Sequence, residues 1–217
     1  MNVSSDYYQS TRPDMVIFLP DDYSRVLEIG CAAGGFRSSL KPNCEYWGIE
    51  IVETIAETAS LKLDKILIGS YLEVFDQLPD SFFDLIICND VIEHMVDHEE
   101  FFRTIKKKIK SDACLVLSVP NVRYLWNLHD LLVKKDWQYK DNGLLDRTHL
   151  RFFTERSLRR VVIDSGFSIE MFQGVNSILP FGQLSILERL YCRLMILVFG
   201  QDLQFLQFGV RIRYNHP

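Results

Sequence analysis

Strand-like runs of consecutive apolar residues alternate along the chain with stretches whose apolar positions recur every three or four residues. The runs fall at 25–29, 46–50, 65–68, 83–89, 114–119, 168–174 and 208–214, and the helix-like stretches at 35–40, 52–61, 99–109, 155–165 and 184–199. Such alternation predicts an α/β domain built on a mostly parallel, seven-stranded sheet with helices on both faces. Pro79 and Asp80 mark a turn before the fourth strand, and Thr154 suits the N-cap of the helix that begins at Glu155. Within 184–199, apolar positions 187, 190, 191, 194 and 198 form one stripe, with Glu188, Arg189 and Arg193 off it. That stripe is expected to pack on the sheet or cover a pocket, with a dimer face or a shallow membrane contact as the alternative. The connection 121–150 lacks a clean period and carries Trp126, Trp137 and Tyr139, as a lid or binding loop does. A single domain over 1–217 is expected, with 176–207 a helical insert before the last strand.

The first strand runs into Gly30-Cys31-Ala32-Ala33-Gly34-Gly35-Phe36, and the second ends at Glu50. A short strand, a glycine turn, a helix start and an acid closing the next strand place a nucleoside-type cofactor over the first strand. Glu50 is then able to bind its ribose hydroxyls. A dinucleotide fingerprint, G-x-G-x-x-G, begun at Gly30 has its second glycine at Ala32. A methyl group there stands where the backbone must approach a pyrophosphate, which argues against a nicotinamide-dependent oxidoreductase. The acid-x-Gly-x-x-x-Gly pattern of Glu28, Gly30 and Gly34 resembles instead the first motif of class I S-adenosylmethionine-dependent methyltransferases, with Ala32 in place of the usual glycine. By that resemblance the turn from Gly30 through Cys31, Ala32 and Gly34 to Phe36, with Glu50 and Ile51, holds the cofactor. Its carboxylate would use free amides after Gly34, and Glu28 would act on loop amides or on the ligand ammonium.

Apolar residues make up 47% of the chain, ample for a full core, and the net charge of −5 argues against nucleic-acid binding. The basic run Lys106-Lys107-Lys108, with Lys110, is expected on a solvated helix face. Five cysteines, at 31, 44, 88, 114 and 192, form no C-x-x-C pair and read as small buried residues in a reducing compartment. The polar first ten residues lack a signal-peptide core, and the longest apolar run, 194–200, is too short to span a bilayer. A cytoplasmic protein, monomer or homodimer, is the expectation.

Further candidate chemistry follows the later strands. Ser70 and Tyr71 follow the third strand; methyltransferases commonly carry an acid here that accepts from the adenine amino group, and Ser70 offers a weaker version of that contact. Asn89-Asp90-Val91-Ile92-Glu93-His94 ends the fourth strand, where ligands of open α/β sheets sit, so Asn89, Asp90 and His94 are expected beside the cofactor's methionine part. His94 and His98 stand four apart, but no further ligand set shares a recognisable metal spacing, and no metal is expected. Asp146-Arg147-Thr148-His149-Leu150-Arg151 concentrates polar groups just before two phenylalanines. His149 is the first candidate for a general base, with Asp146 fixing its tautomer, and His94 is the second. Arg147 and Arg151 suit a phosphate or carboxylate on the substrate.

Tyr7-Tyr8, Arg12-Pro13-Asp14-Met15, the 26–36 turn, Gly48-Ile49-Glu50, Asp90–His94, Ser118-Val119-Pro120-Asn121-Val122-Arg123 and 145–154 together resemble bacterial class I methyltransferases often found with glycosyltransferases of cell-envelope polysaccharide synthesis. The resemblance implies a Rossmann-like fold whose final two strands form an antiparallel pair at the sheet edge. It also implies S-adenosyl-L-methionine as cofactor and methylation of an oxygen on a sugar, glycoconjugate or related small molecule. The connection 121–150 would be an acceptor-side lid, and Tyr8, Arg12 and Asn121 would join Arg147 and Arg151 around the acceptor. The alternative is a non-catalytic, methyltransferase-like partner subunit, for which Ala32 and Ser70 leave room.

Overall fold

Residues 11–180, 182 and 184–214 are described by a computed structural model. β1 (Arg25–Ile29), β2 (Glu45–Glu50), β3 (Lys65–Ile68), β4 (Phe83–Asn89), β5 (Ile109–Pro120), β6 (Phe167–Ser177) and β7 (Phe205–Tyr214) form one sheet in the order β3-β2-β1-β4-β5-β7-β6. β1 to β5 pair in parallel, and β7 runs antiparallel to both β5 and β6. All seven strands read from the sequence are present, and the antiparallel pair lies at the edge with β7 inserted inside β6.

Side chains of a strand alternate between faces, so a strand buried on both sides is a continuous apolar run. Leu27, Ile29, Ile86, Cys88, Leu115 and Leu117 join one core layer; Val26, Leu85, Ile87, Cys114 and Val116 join the other. The first layer is closed by α2 (Tyr71–Val74), α3 (His98–Ile105) and α5 (Glu155–Asp164), through residues such as Tyr71, Phe102 and Leu158. The second is closed by the turn Pro13–Phe18, the turn Gly35–Ser39 and α1 (Glu53–Ala59), through Met15, Phe18, Phe36 and Ala59. Thr154 caps α5 as expected, accepting from Ser157 N at 3.2 Å.

Two of the expectations are corrected here. The helix read over 99–109 stops at Ile105, and β5 already begins at Ile109, so the basic run is a connection, not a helix face. Lys108 is buried: its ammonium donates to Leu78 O (2.8 Å) and Asp80 (2.7 Å) and lies 4.0 Å from the Phe75 ring centroid. The desolvation of one cation is offset by a carboxylate, a carbonyl and a ring face.

The second concerns α6 (Ile186–Phe199). It turns Cys192 and Ile196 inward, onto Leu125 of α4 (Leu125–His129) and onto Leu203. Leu187, Leu190, Leu194 and Val198 of the expected stripe are exposed, Leu187 at 78%. The helix joins a small cluster separate from the two layers that cover the sheet, so a narrow inward line suffices. Leu190→Gln is expected to change stability by less than about 0.5 kcal/mol, and Ile196→Ala to cost about 2–5 kcal/mol. Thermal unfolding of the two variants checks this; comparable losses would put the outer stripe in a core. No described helix is long and apolar enough to cross a membrane.

Candidate functional site

The chain builds β1, β2 and β3 outward in one direction and then returns to place β4 on the other side of β1. The carboxyl ends of β1 and β4 therefore flank the switch point where ligands of such sheets bind. The turn after β1 is anchored there by Gly30 N and Cys31 N, which donate to Ile49 O at 2.8 and 3.1 Å. It lies close over β2 because Gly48 has no side chain; a Cβ there would stand 2.5 Å from Cys31 Sγ. Gly30, Ala32 and Gly34 all take positive φ, at 70°, 47° and 69°. A left-handed alanine costs about 1–2 kcal/mol, partly offset because glycine has more freedom to lose on folding. Ala32→Gly is accordingly expected to stabilise the protein by about 1 kcal/mol, raising its thermal midpoint by roughly 2–4 °C; a lower midpoint would contradict the strain.

Glu50 closes β2 buried against this turn, accepting from Ala32 N (3.0 Å) and Val52 N (2.9 Å), with Ile51 beside it 69% exposed. Two sequence expectations for the turn are corrected. Phe36 is buried among Met15, Phe18 and Leu40 under a five-residue 3-10 turn, not in an α-helix and not toward the loop's open side. Glu28 does not reach the loop amides: its side chain points into the second layer, where the Tyr46 hydroxyl donates to it. Burial, countered in part by that bond and by Arg12 and reinforced by Glu50, pushes the Glu28 carboxyl up to about 8.

At the end of β4, Asp90 is held by Ser118 Oγ (2.8 Å), Gln207 Nε2 (2.8 Å) and the Arg12 guanidinium. Arg12 also donates to both oxygens of Asp14, at 3.1 and 2.9 Å. Its donors thus tie the N-terminal segment to β4 and β5, and this replaces the acceptor contact expected of it. Asn121 is corrected likewise: it is fully buried, and its amide donates to Asp202 O and Phe205 O at 2.8 and 2.9 Å. Asn89 differs, since both polar atoms of its buried amide lack a partner among the described residues.

Beyond Asp90 a short turn, Ile92–His94, presents Glu93 and His94 to the loop before α5. Leu150 N and Arg151 N both donate to Glu93 O, at 2.8 and 3.1 Å, which docks that loop on the end of β4. The His94 and His149 rings then meet edge-on with centroids 4.6 Å apart. Asp146 does not fix the His149 tautomer; its carboxylate accepts from Thr148 N and Thr148 Oγ1, at 2.8 and 2.6 Å. His149 Nδ1 instead meets Leu144 O at 2.9 Å, and His94 Nδ1 meets Thr148 O at 3.2 Å. A carbonyl only accepts, and Thr148 Oγ1, 3.0 Å from His94 Nδ1, gives its own proton to Asp146, so each Nδ1 carries a proton and in the neutral imidazole the lone pair lies on Nε2. Burial, together with the neighbouring His149, lowers the His94 pKa. Glu93 is fully buried, and neither of its carboxylate oxygens has a donor among the described residues.

The remaining expectations disperse. Arg147 is exposed and pairs with Asp141 at 2.9 Å; Arg151 donates to Leu150 O and Val96 O. The structure places neither with the two histidines. His98 faces the Phe153 ring and does not join His94. Tyr71 is a core residue, edge-on to Phe101, with its hydroxyl at Thr104. Ser70 caps α2, and its amide and hydroxyl both donate to Glu73 at 2.7 Å. Glu73 thereby brings a carboxylate back to the end of β3; the Ser-x-x-Glu spacing of a capping box was its signal in the sequence. Tyr8 lies outside the described residues.

Residues 8–171 match the methyltransferase domain family Methyltransf_23. The ubiquinone biosynthesis O-methyltransferase of Rickettsia prowazekii is 22% identical over 157 residues, 70% of this chain and 61% of that protein, and that of Rickettsia typhi is likewise 22% identical, with 63% covered. The chain thus spans about three-fifths of the length of these curated relatives. Among solved structures, an S-adenosylmethionine-dependent methyltransferase from Archaeoglobus fulgidus superposes with a TM-score of 0.69 at 18% identity, over 96% of this chain and 94% of that one. One from Mesorhizobium loti does so with a TM-score of 0.60 at 18% identity, over 94% and 98%. The folds agree, the matched family spans most of the chain and its strands carry the ligand-facing turn described above: this chain belongs to the Methyltransf_23 family of methyltransferase domains.

Proposed function

We propose that this protein transfers the methyl group of S-adenosylmethionine to an oxygen of a small-molecule acceptor, in the first instance a sugar or glycoconjugate hydroxyl. The cofactor supplies a methyl group already activated on a positively charged sulfur. The residues at the switch point fit it. Glu50 stands at the end of β2 with lone pairs left for ribose hydroxyls, Ile51 offers an exposed apolar face to a base, and Glu73 stands where an adenine amino group would need an acceptor. Asn89, its buried amide unpartnered, suits the ligand's amino-acid end.

The observation that carries the choice of oxygen is the group of Glu93, His94 and His149 beside the end of β4. A hydroxyl acceptor must lose a proton as its oxygen attacks, whereas a carboxylate acceptor need not. Two imidazole nitrogens with free lone pairs and an unpartnered carboxyl side chain meet that need. The loop 141–152 walls this space and helps keep water from the reacting atoms, and the rest of the fold holds donor and acceptor in line. Five unpaired, buried thiols suit a reducing compartment, and we place the reaction in the cytoplasm.

Calorimetric titration with S-adenosylhomocysteine, followed by a labelled-methyl screen of nucleotide sugars, lipid-linked glycans and phenols, tests the reading. One-to-one micromolar binding and label transfer to a hydroxyl are expected. Binding without transfer to any acceptor, together with a stable heteromeric partner, would favour the partner-subunit alternative.

A further inference from the structure

We infer that Glu93, His94 and His149 form a binding site for a first-row divalent cation beside the end of β4. One ligand atom of each residue lies within 4.8 Å of the others. Both histidines donate Nδ1–H to a chain carbonyl, His94 to Thr148 O and His149 to Leu144 O, the outer arrangement that orients metal-binding imidazoles and leaves Nε2 free. Thr148 is itself held by Asp146, so the support of His94 extends one residue further. Glu93 is the independent sign. Its side chain is fully buried, and neither oxygen has a hydrogen-bond donor among the described residues, so the group is satisfied there only by holding a proton or by exchanging that proton for a cation. One nitrogen of each imidazole and an oxygen of the carboxyl group converge, and a cation is the species that all three can bind.

The donor set selects the class of ion. Two nitrogens and one oxygen suit manganese through zinc better than calcium or magnesium, which favour all-oxygen shells. Bonds of about 2.1 Å would draw the three ligand atoms to roughly 3.0–3.4 Å from one another, a small closing movement from the present spacing. Three protein ligands leave positions open, as at catalytic metal sites, for an acceptor oxygen. One carboxylate does not neutralise a doubly charged ion, so the loaded site stays positive and lowers the pKa of a bound hydroxyl. This deepens the reading of an oxygen acceptor and rests on it for the cation's role, though not for the cation's binding.

The test is titration of the full-length, chelator-treated protein with Co²⁺, followed by visible absorption, in the presence of saturating S-adenosylhomocysteine. One bound ion per chain is expected. Glu93→Gln and His149→Asn should each weaken Co²⁺ binding by more than about 100-fold, since loss of even an outer partner costs 10–100-fold. His98→Ala should leave it within twofold, because His98 faces Phe153. Retained S-adenosylhomocysteine affinity shows that each variant is folded. The site is overturned if protein that binds S-adenosylhomocysteine takes up no Co²⁺ at millimolar concentration, or if Glu93→Gln binds as wild type does. Co²⁺ uptake without S-adenosylhomocysteine binding would instead keep the cation site and refute the cofactor assignment.

Discussion

His149→Ala should lower methyl transfer to a hydroxyl acceptor by about 10²–10⁴-fold, the range by which positioned proton-transfer groups accelerate reactions. Affinity for S-adenosylhomocysteine should change by less than about threefold, because His149 stands at the end of β4 and contacts none of Glu50, Ile51 or Glu73 in the structure. Buried His149 also braces the loop against His94 and Phe152, and cofactor affinity and thermal midpoint therefore need measuring beside turnover. A loss confined to turnover assigns the ring to removal of the hydroxyl proton, either directly or through the cation it would hold. Unchanged turnover would mean that the acceptor gives up no proton, as a carboxylate would not, and would remove the proposed oxygen chemistry from these residues.

The second large effect belongs to Glu28. Its folded-state carboxyl titrates near 8 against an ordinary 4.5, chiefly because burial penalises the charge. Between those values the folded protein holds a proton that the unfolded chain has released, so stability falls as pH rises through the window. Through this one carboxyl, each pH unit there removes about 1.4 kcal/mol from the wild type, a loss that Glu28→Gln does not share. The thermal midpoint of the wild type should therefore drop relative to the variant by roughly 3–5 °C per unit from pH 5.5 to 7.5, and the difference should level off above pH 8. The Arg12, Glu50, Cys31 and Tyr46 side chains that share this environment are present in both proteins, so the comparison isolates Glu28. Parallel midpoints across the range would show that Glu28 is ionised when buried.

Ala32 and Ser70 are where the sequence departs from the pattern it resembles, and the structure gives each a local meaning. Ala32 keeps the left-handed turn at a steric cost and donates its amide to Glu50. Ser70 yields its hydroxyl to a helix cap, and the carboxylate it captures comes from Glu73, one turn on. Departures at these two positions thus leave the turn and an acid at the end of β3 in place.

Much of the fold is local information. β1 and β4 coincide with their apolar runs because buried parallel strands are apolar on both faces, and helix starts such as Thr154 announce themselves by their caps. The glycine turn and Glu50 were legible for the same reason: tight turns and strand ends are set by residues adjacent in the chain. Side-chain destinations were not. Spacing cannot say that Arg12 and Asn121 are enclosed by their own fold, that Lys108 is buried, or that α6 turns its leucines outward, since each depends on what segments distant in sequence bring alongside.

The candidate site divides the same way. A mostly parallel α/β sheet with a glycine turn at its switch point could be read from the chain alone, because periodicity and glycine placement act over a few residues. Which histidines meet depends on the folded chain. Along the chain His94 is nearest to His98, but the backbone of Glu93 captures the amides of Leu150 and Arg151 and carries His149 to its ring. That encounter is made by two carbonyl hydrogen bonds across more than fifty residues, and contacts of that range leave no period in the sequence.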